Sequence, residues 1–294
     1  MPLNPPRPSR ARRGMTLVEL LIALVMLGVV STALYRVLLN NQRIYQTQTQ
    51  HIDLQQNMRA AVTLLPAELR EIDATDGDIE AMSPTAITIR AMRWMGFICA
   101  PPVLGGAVVG TGMTVRAQPF YGTRRLNTGT DSMFIYYDGD QTTRDDDDWA
   151  LARPTDVANG LCPDGQAGLV ITMSWKLAPP NTPGGILPGS PVRGFETVTY
   201  QLYKPPSDSL WYVGMQPAGG TIAPVIGPVI EGGLSFAYFD STGAVTTVPT
   251  RVARIDVVVR ERTIQAVQNA AGAGKAVAVD SVLTSVALRN NRRY

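Results

Sequence analysis

The chain has 294 residues, of which 45% are hydrophobic, so it can bury one sizeable core or two small ones and is not a disordered protein. Its 26 basic and 24 acidic side chains leave a formal charge of +2, which excludes a strong overall attraction to nucleic acid.

The N-terminus combines a basic leader with a long apolar run. Residues 15–35 carry no charge except Glu19, and the leader before them carries four arginines, Arg7, Arg10, Arg12 and Arg13. At about 21 residues, the run is longer than the apolar region of a secretory signal peptide and can span a bilayer. The positive-inside rule then predicts a cytoplasmic N-terminus and an extracytoplasmic body.

The junction between leader and apolar run has the pattern of a processing signal. It reads RRG at residues 12–14 and MTLVELLIAL at residues 15–24. This pattern closely resembles the signal of type IV prepilins and type II secretion pseudopilins, in which prepilin peptidase cuts after the glycine and methylates the new N-terminus. The resemblance implies a removed leader, residues 1–14, that ends at Gly14. It also implies a mature chain that begins at Met15, where most members of the family carry Phe.

Glu19 is unusual because a carboxylate inside hydrocarbon costs roughly 2.5–3.5 kcal/mol on insertion scales. Cleavage after Gly14 would expose an α-amine on Met15 that is mostly cationic near neutral pH. Four helical residues rise about 6 Å, so Glu19 can meet its own amine or that of an axially displaced neighbour. In the resembled family the partner is the neighbour. The alternative is an acid tolerated near the membrane interface.

The sequence predicts one long helix with two different halves. Residues 15–39 are apolar all round, so they need lipid before assembly and other subunits in a filament core after it. Residues 40–77 are predicted to be an amphipathic, periplasmic half that packs on the protein's own sheet. Pro66 is expected to kink or restart this helix, and residues 73–77 are interpreted as its end.

Residues 78–294 are predicted to form a β-rich head, which gives an α+β, pilin-like fold of a long helix on an antiparallel sheet. Parts of the head resemble PilW-type minor pilins and J-type minor pseudopilins. The predicted strands are residues 86–92, 133–137, 169–177, 196–203, 210–215, 234–240, 254–260 and 276–288. Long loops are predicted at residues 101–130, 179–194 and 218–233.

The inventory of reactive side chains argues against an enzyme and against a bound cofactor. The only histidine, His51, lies among glutamines in the predicted helix, which leaves no Ser-His-Asp or multi-histidine arrangement. Cys99 and Cys162 form either a disulfide, as an oxidising compartment favours, or two buried thiols. An acidic segment is either a solvated loop or a calcium site, and it consists of Asp138, Asp140 and Asp145 to Asp148.

Three functional hypotheses follow. The first is a minor type IV pilin at the tip or in the assembly-priming complex, with a role in adhesion or motility. Its expected partners are prepilin peptidase, other pilins, the inner-membrane assembly platform and membrane lipid. The second is a minor pseudopilin of a type II secretion system, and the third is a signal-anchored periplasmic binding protein or enzyme. No nucleic acid partner is indicated, because no basic stripe with interleaved aromatic residues is found.

Overall fold

The computed structural model describes residues 16–106, 109–143, 145–181, 184–268 and 274–289. Within these residues the chain forms one long α-helix, fourteen β-strands and a short 3-10 helix, Pro249–Arg251. The α+β fold predicted from the sequence, a long N-terminal helix with an antiparallel sheet, is confirmed.

Helix α1 spans Leu17–Arg70, and its 54 residues extend over about 81 Å. The prediction that Pro66 restarts the helix is wrong, because α1 continues through it to Arg70. Pro66 lacks the N–H that would bond one turn back, yet it is buried together with Leu65 and Leu69. The apolar packing of this last stretch holds it in helical form despite the lost hydrogen bond. Residues 71–77 then form turns.

The fourteen strands are more numerous than the eight that the sequence patterns predicted, and several of them are longer, although the last, predicted at residues 276–288, is shorter. They are β1 Ile79–Met82, β2 Ala86–Ala100, β3 Gly112–Arg116, β4 Tyr121–Gly122, β5 Asp131–Tyr137, β6 Asp148–Leu161, β7 Ala167–Leu177, β8 Pro191–Tyr203, β9 Trp211–Pro217, β10 Ala223–Phe239, β11 Arg254–Arg262, β12 Val267–Gln268, β13 Lys275–Ala276 and β14 Val279–Ala287.

The predicted loops at residues 101–130, 179–194 and 218–233 are therefore wrong in part, because they contain β3 and β4, the start of β8 and the start of β10. These stretches are rich in glycine and proline, which local patterns assign to turns. Their strands are specified by pairing with distant partners instead.

Seven strands form the sheet on which α1 packs, called here the helix-packed sheet. They are antiparallel, in the order β1-β2-β8-β9-β10-β11-β14. Alternate side chains of β11, which are Ile255, Val257 and Val259, are buried in a core that also contains Leu65 and Leu69 of α1. This helix-on-sheet layer is the first core of the head.

Six strands close into a second unit, called here the strand ring. The pairings run β2-β3-β7-β6-β5-β8 and return to β2, so β2 and β8 belong to both units. A second buried cluster contains side chains from all six strands, including Trp94 of β2. Opposite Trp94, a Cβ on Gly194 would lie 2.0 Å from the indole, so the glycine provides the space that the ring occupies.

A disulfide joins Cys99 to Cys162, with the two Cα atoms 5.6 Å apart. Cys99 lies near the end of β2, and Cys162 follows β6 directly. Of the two alternatives left open by the sequence, the disulfide is therefore the one that the structure contains. The disulfide thus links β2 to the end of β6, and these two strands are not neighbours in the ring.

Candidate assembly site on the long helix

The N-terminus of α1 is closed by a capping box that involves the predicted assembly residue Glu19. Thr16 is the N-cap, and its hydroxyl accepts a hydrogen bond from the backbone N–H of Glu19 at 3.2 Å. In return, the backbone N–H of Thr16 donates to the Glu19 carboxylate at 3.1 Å. Each bond satisfies an N–H that has no partner within the helix, and the carboxylate lies at the end that the helix dipole favours.

The capping box directs the Glu19 carboxylate back towards the start of the chain. The two predicted processing residues, Gly14 and Met15, lie outside the described residues. Their roles, and the pairing of Glu19 with a terminal amine, stay predictions. The structure does show that the Glu19 carboxylate accepts a hydrogen bond from the backbone N–H of Thr16, the residue that follows Met15 in the sequence.

The first half of α1 exposes its apolar surface completely. Between Leu17 and Asp53, all of which the structure describes, no side chain is buried. The exposed fraction is 80% for Leu17 and 59% for Leu24. The helix is long and apolar enough to cross a membrane, and none of the residues that the structure describes buries its most apolar stretch. A surface of this kind requires lipid or other apolar helices around it.

The second half of α1 packs on the head as predicted, but only from Leu54 onward: residues 40–53, which were predicted to belong to the packed half, bury no side chain. Its buried residues begin at Leu54 and continue with Ala61, Leu65 and Leu69, at the spacing of one helix face. His51 is exposed on this helix, so its predicted place on a solvated face agrees with the structure. The long helix is therefore fixed to the head along only its C-terminal part.

A buried ion network joins the last turns of α1 to the strands shared by the two cores. Arg93 of β2 donates to both oxygens of Glu68 on α1, at 2.8 and 2.9 Å, and to Glu196 of β8 at 3.0 Å. Glu196 also accepts from Arg124 at 3.2 Å, and Arg124 binds the carboxylate of Asp131, which is 1% exposed. This network of ion pairs therefore connects α1 to β2 and β8, the two strands that the helix-packed sheet and the strand ring share.

The environment keeps the arginines of this network charged. Burial alone would lower the pKa of Arg93, but the carboxylates of Glu68 and Glu196 raise it above its ordinary value. The pKa of Arg124 is also raised, mainly by its hydrogen bond to Asp131. Because Glu68 has only Arg93 as its partner in the network and the buried Asp131 has only Arg124, removal of either arginine would leave a carboxylate without compensation.

With this geometry in view, the relation to known proteins rests on the N-terminus. Residues 9–35 match the family model of the prokaryotic N-terminal methylation motif. The chain therefore carries the signal of a type IV prepilin-like or pseudopilin-like precursor, which implies processing by prepilin peptidase and assembly with other pilins. No curated protein and no solved structure matches the chain.

The prepilin-like motif and the exposed apolar half of α1 together indicate a membrane-anchored protein. The motif includes the residues predicted for processing and assembly, and it ends within the first half of the helix. It does not extend to the head, so the resemblance of the head to PilW-type or J-type subunits stays a prediction.

The acidic segment forms the loop between β5 and β6. Desolvation and the neighbouring carboxylates of Asp147, Asp146 and Asp140 raise the pKa of Asp138 above its ordinary value. Asp146 accepts hydrogen bonds from the backbone of Asp140 at 2.6 Å and from the hydroxyl of Thr143 at 3.0 Å. In the part of the chain that the structure describes, no group of three or more acidic, histidine or cysteine side chains could hold a metal ion.

Sequence reasoning did not identify the ion network or a buried acid, Glu261. Glu261 is fully buried on the core-facing side of β11, and neither carboxylate oxygen has a hydrogen-bond partner among the described residues. Burial, and then the charge of Asp280 opposite it on β14, raises the pKa of Glu261 to about 7. One local signal existed, because Glu261 occupies the alternate position that Ile255, Val257 and Val259 fill with apolar side chains.

Proposed function

We propose that the chain is a minor, low-copy subunit of a type IV pilus. In this proposal prepilin peptidase removes residues 1–14, and the mature chain starts with N-methylated Met15. The observation that carries the proposal is a methylation motif at residues 9–35 that leads into a helix half with no buried side chain. Before assembly this half is the membrane anchor, with the N-terminus in the cytoplasm and the head in the periplasm. After assembly it lies in the helical core of an extracellular filament.

Glu19 is the proposed registering residue of this assembly. Its carboxylate is the counter-ion for the α-amine of Met15 on an axially displaced neighbour. The capping box supports this role, because it holds the carboxylate at the N-terminal end of α1. A charge pair in an apolar surrounding sets register more than it adds stability, since desolvation offsets much of the attraction.

The size and position of the head support low copy number. A head of two cores, repeated at every subunit of a filament, would crowd its neighbours, whereas a single copy at the tip is tolerated. The strand ring is attached beside the last turns of α1, through the contact between Arg93 and Glu68. This attachment lies at the opposite end of the helix from the membrane-spanning half. A place at the tip or in the assembly-priming complex, with a role in adhesion or motility, is therefore proposed.

The proposed role is structural and not enzymatic, and it needs no cofactor. The chain has one histidine, which is exposed on α1, and its most perturbed acid, Glu261, is enclosed in the first core. The function follows from binding between subunits, on an inner-membrane assembly platform, rather than from chemistry on a substrate.

A minor pseudopilin of a type II secretion system is the alternative, because the same motif and helix support it. A deletion strain separates the two: loss of surface pili with normal export of secreted enzymes supports the pilus. Loss of enzyme export with normal pili supports the pseudopilus. A signal-anchored periplasmic binding protein is the second alternative, and it predicts that neither process changes.

The first test is mass spectrometry of the N-terminus of the protein purified from its host. The expected result is a mature chain that begins with N-methylated Met15. An intact Met1, or cleavage beyond Leu39, would contradict the pilin hypothesis and leave an ordinary anchor or a signal peptide.

The second test separates the charge of Glu19 from its capping role. Glu19→Gln keeps a side chain that can complete a capping box but removes the charge. Thr16→Val removes the capping hydroxyl and leaves the carboxylate in place. Incorporation into filaments should fall strongly for Glu19→Gln and remain near normal for Thr16→Val. The reverse order would show that Glu19 acts on its own helix only.

A further inference from the structure

The surface of α1 changes from apolar to basic where the membrane-spanning stretch ends. Residues 17–35 rise about 28 Å as a helix, which matches the hydrocarbon thickness of a bilayer, about 30 Å. Tyr35 then lies at the edge of the hydrocarbon, where tyrosine is enriched, and Arg36 follows it into the headgroup layer. Arg43 lies about 10 Å farther along the helix, and its side chain extends back towards the membrane, because helical side chains tilt towards the N-terminus.

The two arginines lie on the face of α1 that the head overhangs. Arg36 and Arg43 share a face because seven residues make almost two full turns, and both are exposed. Seven residues farther on, the side-chain oxygen of Gln50 accepts a hydrogen bond from the backbone N–H of Gln265 at 3.1 Å. Gln265 leads into the paired strands β12 and β13. This part of the head therefore reaches α1 directly beside the arginines.

A cleft separates α1 from β12 and β13. Its lining residues are Arg43, Gln46, Thr47, Gln50, Gln265, Ala266, Val267 and Lys275. Its cavity volume is about 40 Å³, far below the roughly 300 Å³ at which pockets for drug-sized ligands begin, so it admits only a small polar group. Lys275 adds a third exposed cation here. Arg36, Arg43 and Lys275 are called here the basic patch.

The positive charge of the basic patch is not compensated within the described residues. None of its three cations takes part in an ion pair or lies over an aromatic ring there. Residues 20–52 contain no Asp or Glu, and neither do the parts of the sequence outside the described ranges. A positive field therefore lies at the level of the phospholipid headgroups, and it attracts anions.

We propose that the basic patch binds the phosphate group of an anionic phospholipid in the leaflet next to the head. Arg36 makes the contact in the headgroup layer, where its guanidinium donates two N–H groups to one phosphate. Arg43 and Lys275 bind the same or a neighbouring headgroup from the water side, at the cleft. A zwitterionic lipid is disfavoured, because its own cation would lie among like charges. The inference requires the membrane anchor but not the proposed role in a pilus.

The test uses the whole protein as its host produces it, purified in a polyoxyethylene detergent, which carries no charge. Phosphatidylglycerol and phosphatidylcholine with the same acyl chains are added in equal amounts, and native mass spectrometry counts the bound lipids. Several-fold more phosphatidylglycerol is expected. This preference should fall when the salt is raised from about 0.01 to about 0.15 M, because salt screens exposed charges. The protein mass in the same spectra shows separately whether the leader was removed.

Matched variants locate the binding. Arg36→Gln and Arg43→Gln should each lower the preference for phosphatidylglycerol by about threefold to fivefold, as expected for one cation near an anionic surface, and Lys275→Gln should act in the same direction. Arg36→Lys keeps the charge and should keep most of the preference. The controls Arg251→Gln and Lys176→Gln change exposed cations elsewhere on the head and should leave the preference unchanged.

Three outcomes would overturn the proposal. Equal binding of the two lipids by the native protein would show that no anionic headgroup is selected. An unchanged preference after replacement of all three cations of the basic patch by Gln would place the lipid elsewhere, for instance on the arginines of a retained leader. Displacement of phosphatidylglycerol by inorganic phosphate, but not by chloride at the same ionic strength, would assign the basic patch to a soluble anion.

Discussion

The two halves of α1 have different relations to the rest of the molecule, although they form one continuous helix. Leu24 in the first half is 59% exposed, whereas Leu65 in the second half is fully buried between the helix and the sheet. The first half is apolar on every side, and the second carries polar residues on the face that leaves the sheet. The apolar side chains of the first half therefore need lipid or other helices to cover them, whereas those of the second half are covered by the protein's own head.

This difference shows how one element can serve two environments. The second half attaches the head to the helix through the packing of Leu65 and Leu69 and the contact of Arg93 with Glu68. Among the described residues, the first half has no partner that buries it, so it can exchange lipid for other helices without unfolding of the head. Three predictions test this division, beginning with the largest expected effect.

Arg93→Ala should lower the free energy of unfolding of the head by about 3–5 kcal/mol, because the half-buried Glu68 would lose its counter-charge and the buried Glu196 would keep only Arg124. The measurement is chemical denaturation in detergent, with hydrogen exchange to show whether residues 54–70 separate from the sheet. The matched control is Arg116→Ala, which breaks an ion pair with Asp164 that is more than a third exposed, and should cost about 0–1 kcal/mol. Equal losses would mean that the network does not anchor the helix.

The second prediction compares the same substitution in the two halves. Leu65→Ala should cost about 2–5 kcal/mol, because it leaves a cavity in the first core. Leu24→Ala should change the unfolding of the head by less than about 0.5 kcal/mol, because its side chain touches no core. It should instead reduce incorporation into filaments. A loss of head stability in Leu24→Ala as large as in Leu65→Ala would break the division between the halves.

The first half of α1 is the part that the sequence predicts best. An apolar run of that length has few possible environments, and the glycine and Glu19 occur at positions that fit one processing signal. The information is local, so short patterns suffice. The second half was also predictable as an amphipathic helix, except at Pro66, where packing of Leu65 and Leu69 outweighs the intrinsic preference of proline.

The strand ring could not be predicted in the same way. β6 contains Pro154, Asp156 and Gly160, which disfavour a strand, and it is held by pairing with β5 and β7. The partners in the ion network are equally remote, since Arg93 is 25 positions from Glu68 and 103 from Glu196. Contacts of this range depend on the completed fold and not on local sequence.

The third prediction concerns Glu261, the buried acid on β11 of the helix-packed sheet. The pKa of Glu261 is raised from 4.5 to about 7 by burial and by Asp280, so the folded state favours the protonated form. The contribution of Glu261 to stability should be greatest below about pH 4.5, should fall as the pH rises towards 7, and should level off above it. The loss across this window should be about 3 kcal/mol. Glu261→Gln, which is always neutral, should remove it.

Denaturation midpoints at pH 5 and pH 8 measure this effect, and Glu231→Gln is the matched control because its carboxylate is exposed. Asp280→Asn sharpens the test: removal of the opposing charge should lower the pKa of Glu261 and shift the fall in stability to lower pH. If the denaturation midpoint of Glu261→Gln changes between pH 5 and pH 8 as much as that of the native protein, a group other than Glu261 is responsible for the pH dependence. If Glu261→Gln removes the pH dependence of head stability, and filament assembly through the first half of α1 is normal at both pH values, the titration of Glu261 affects only the head and the half of α1 that packs on it.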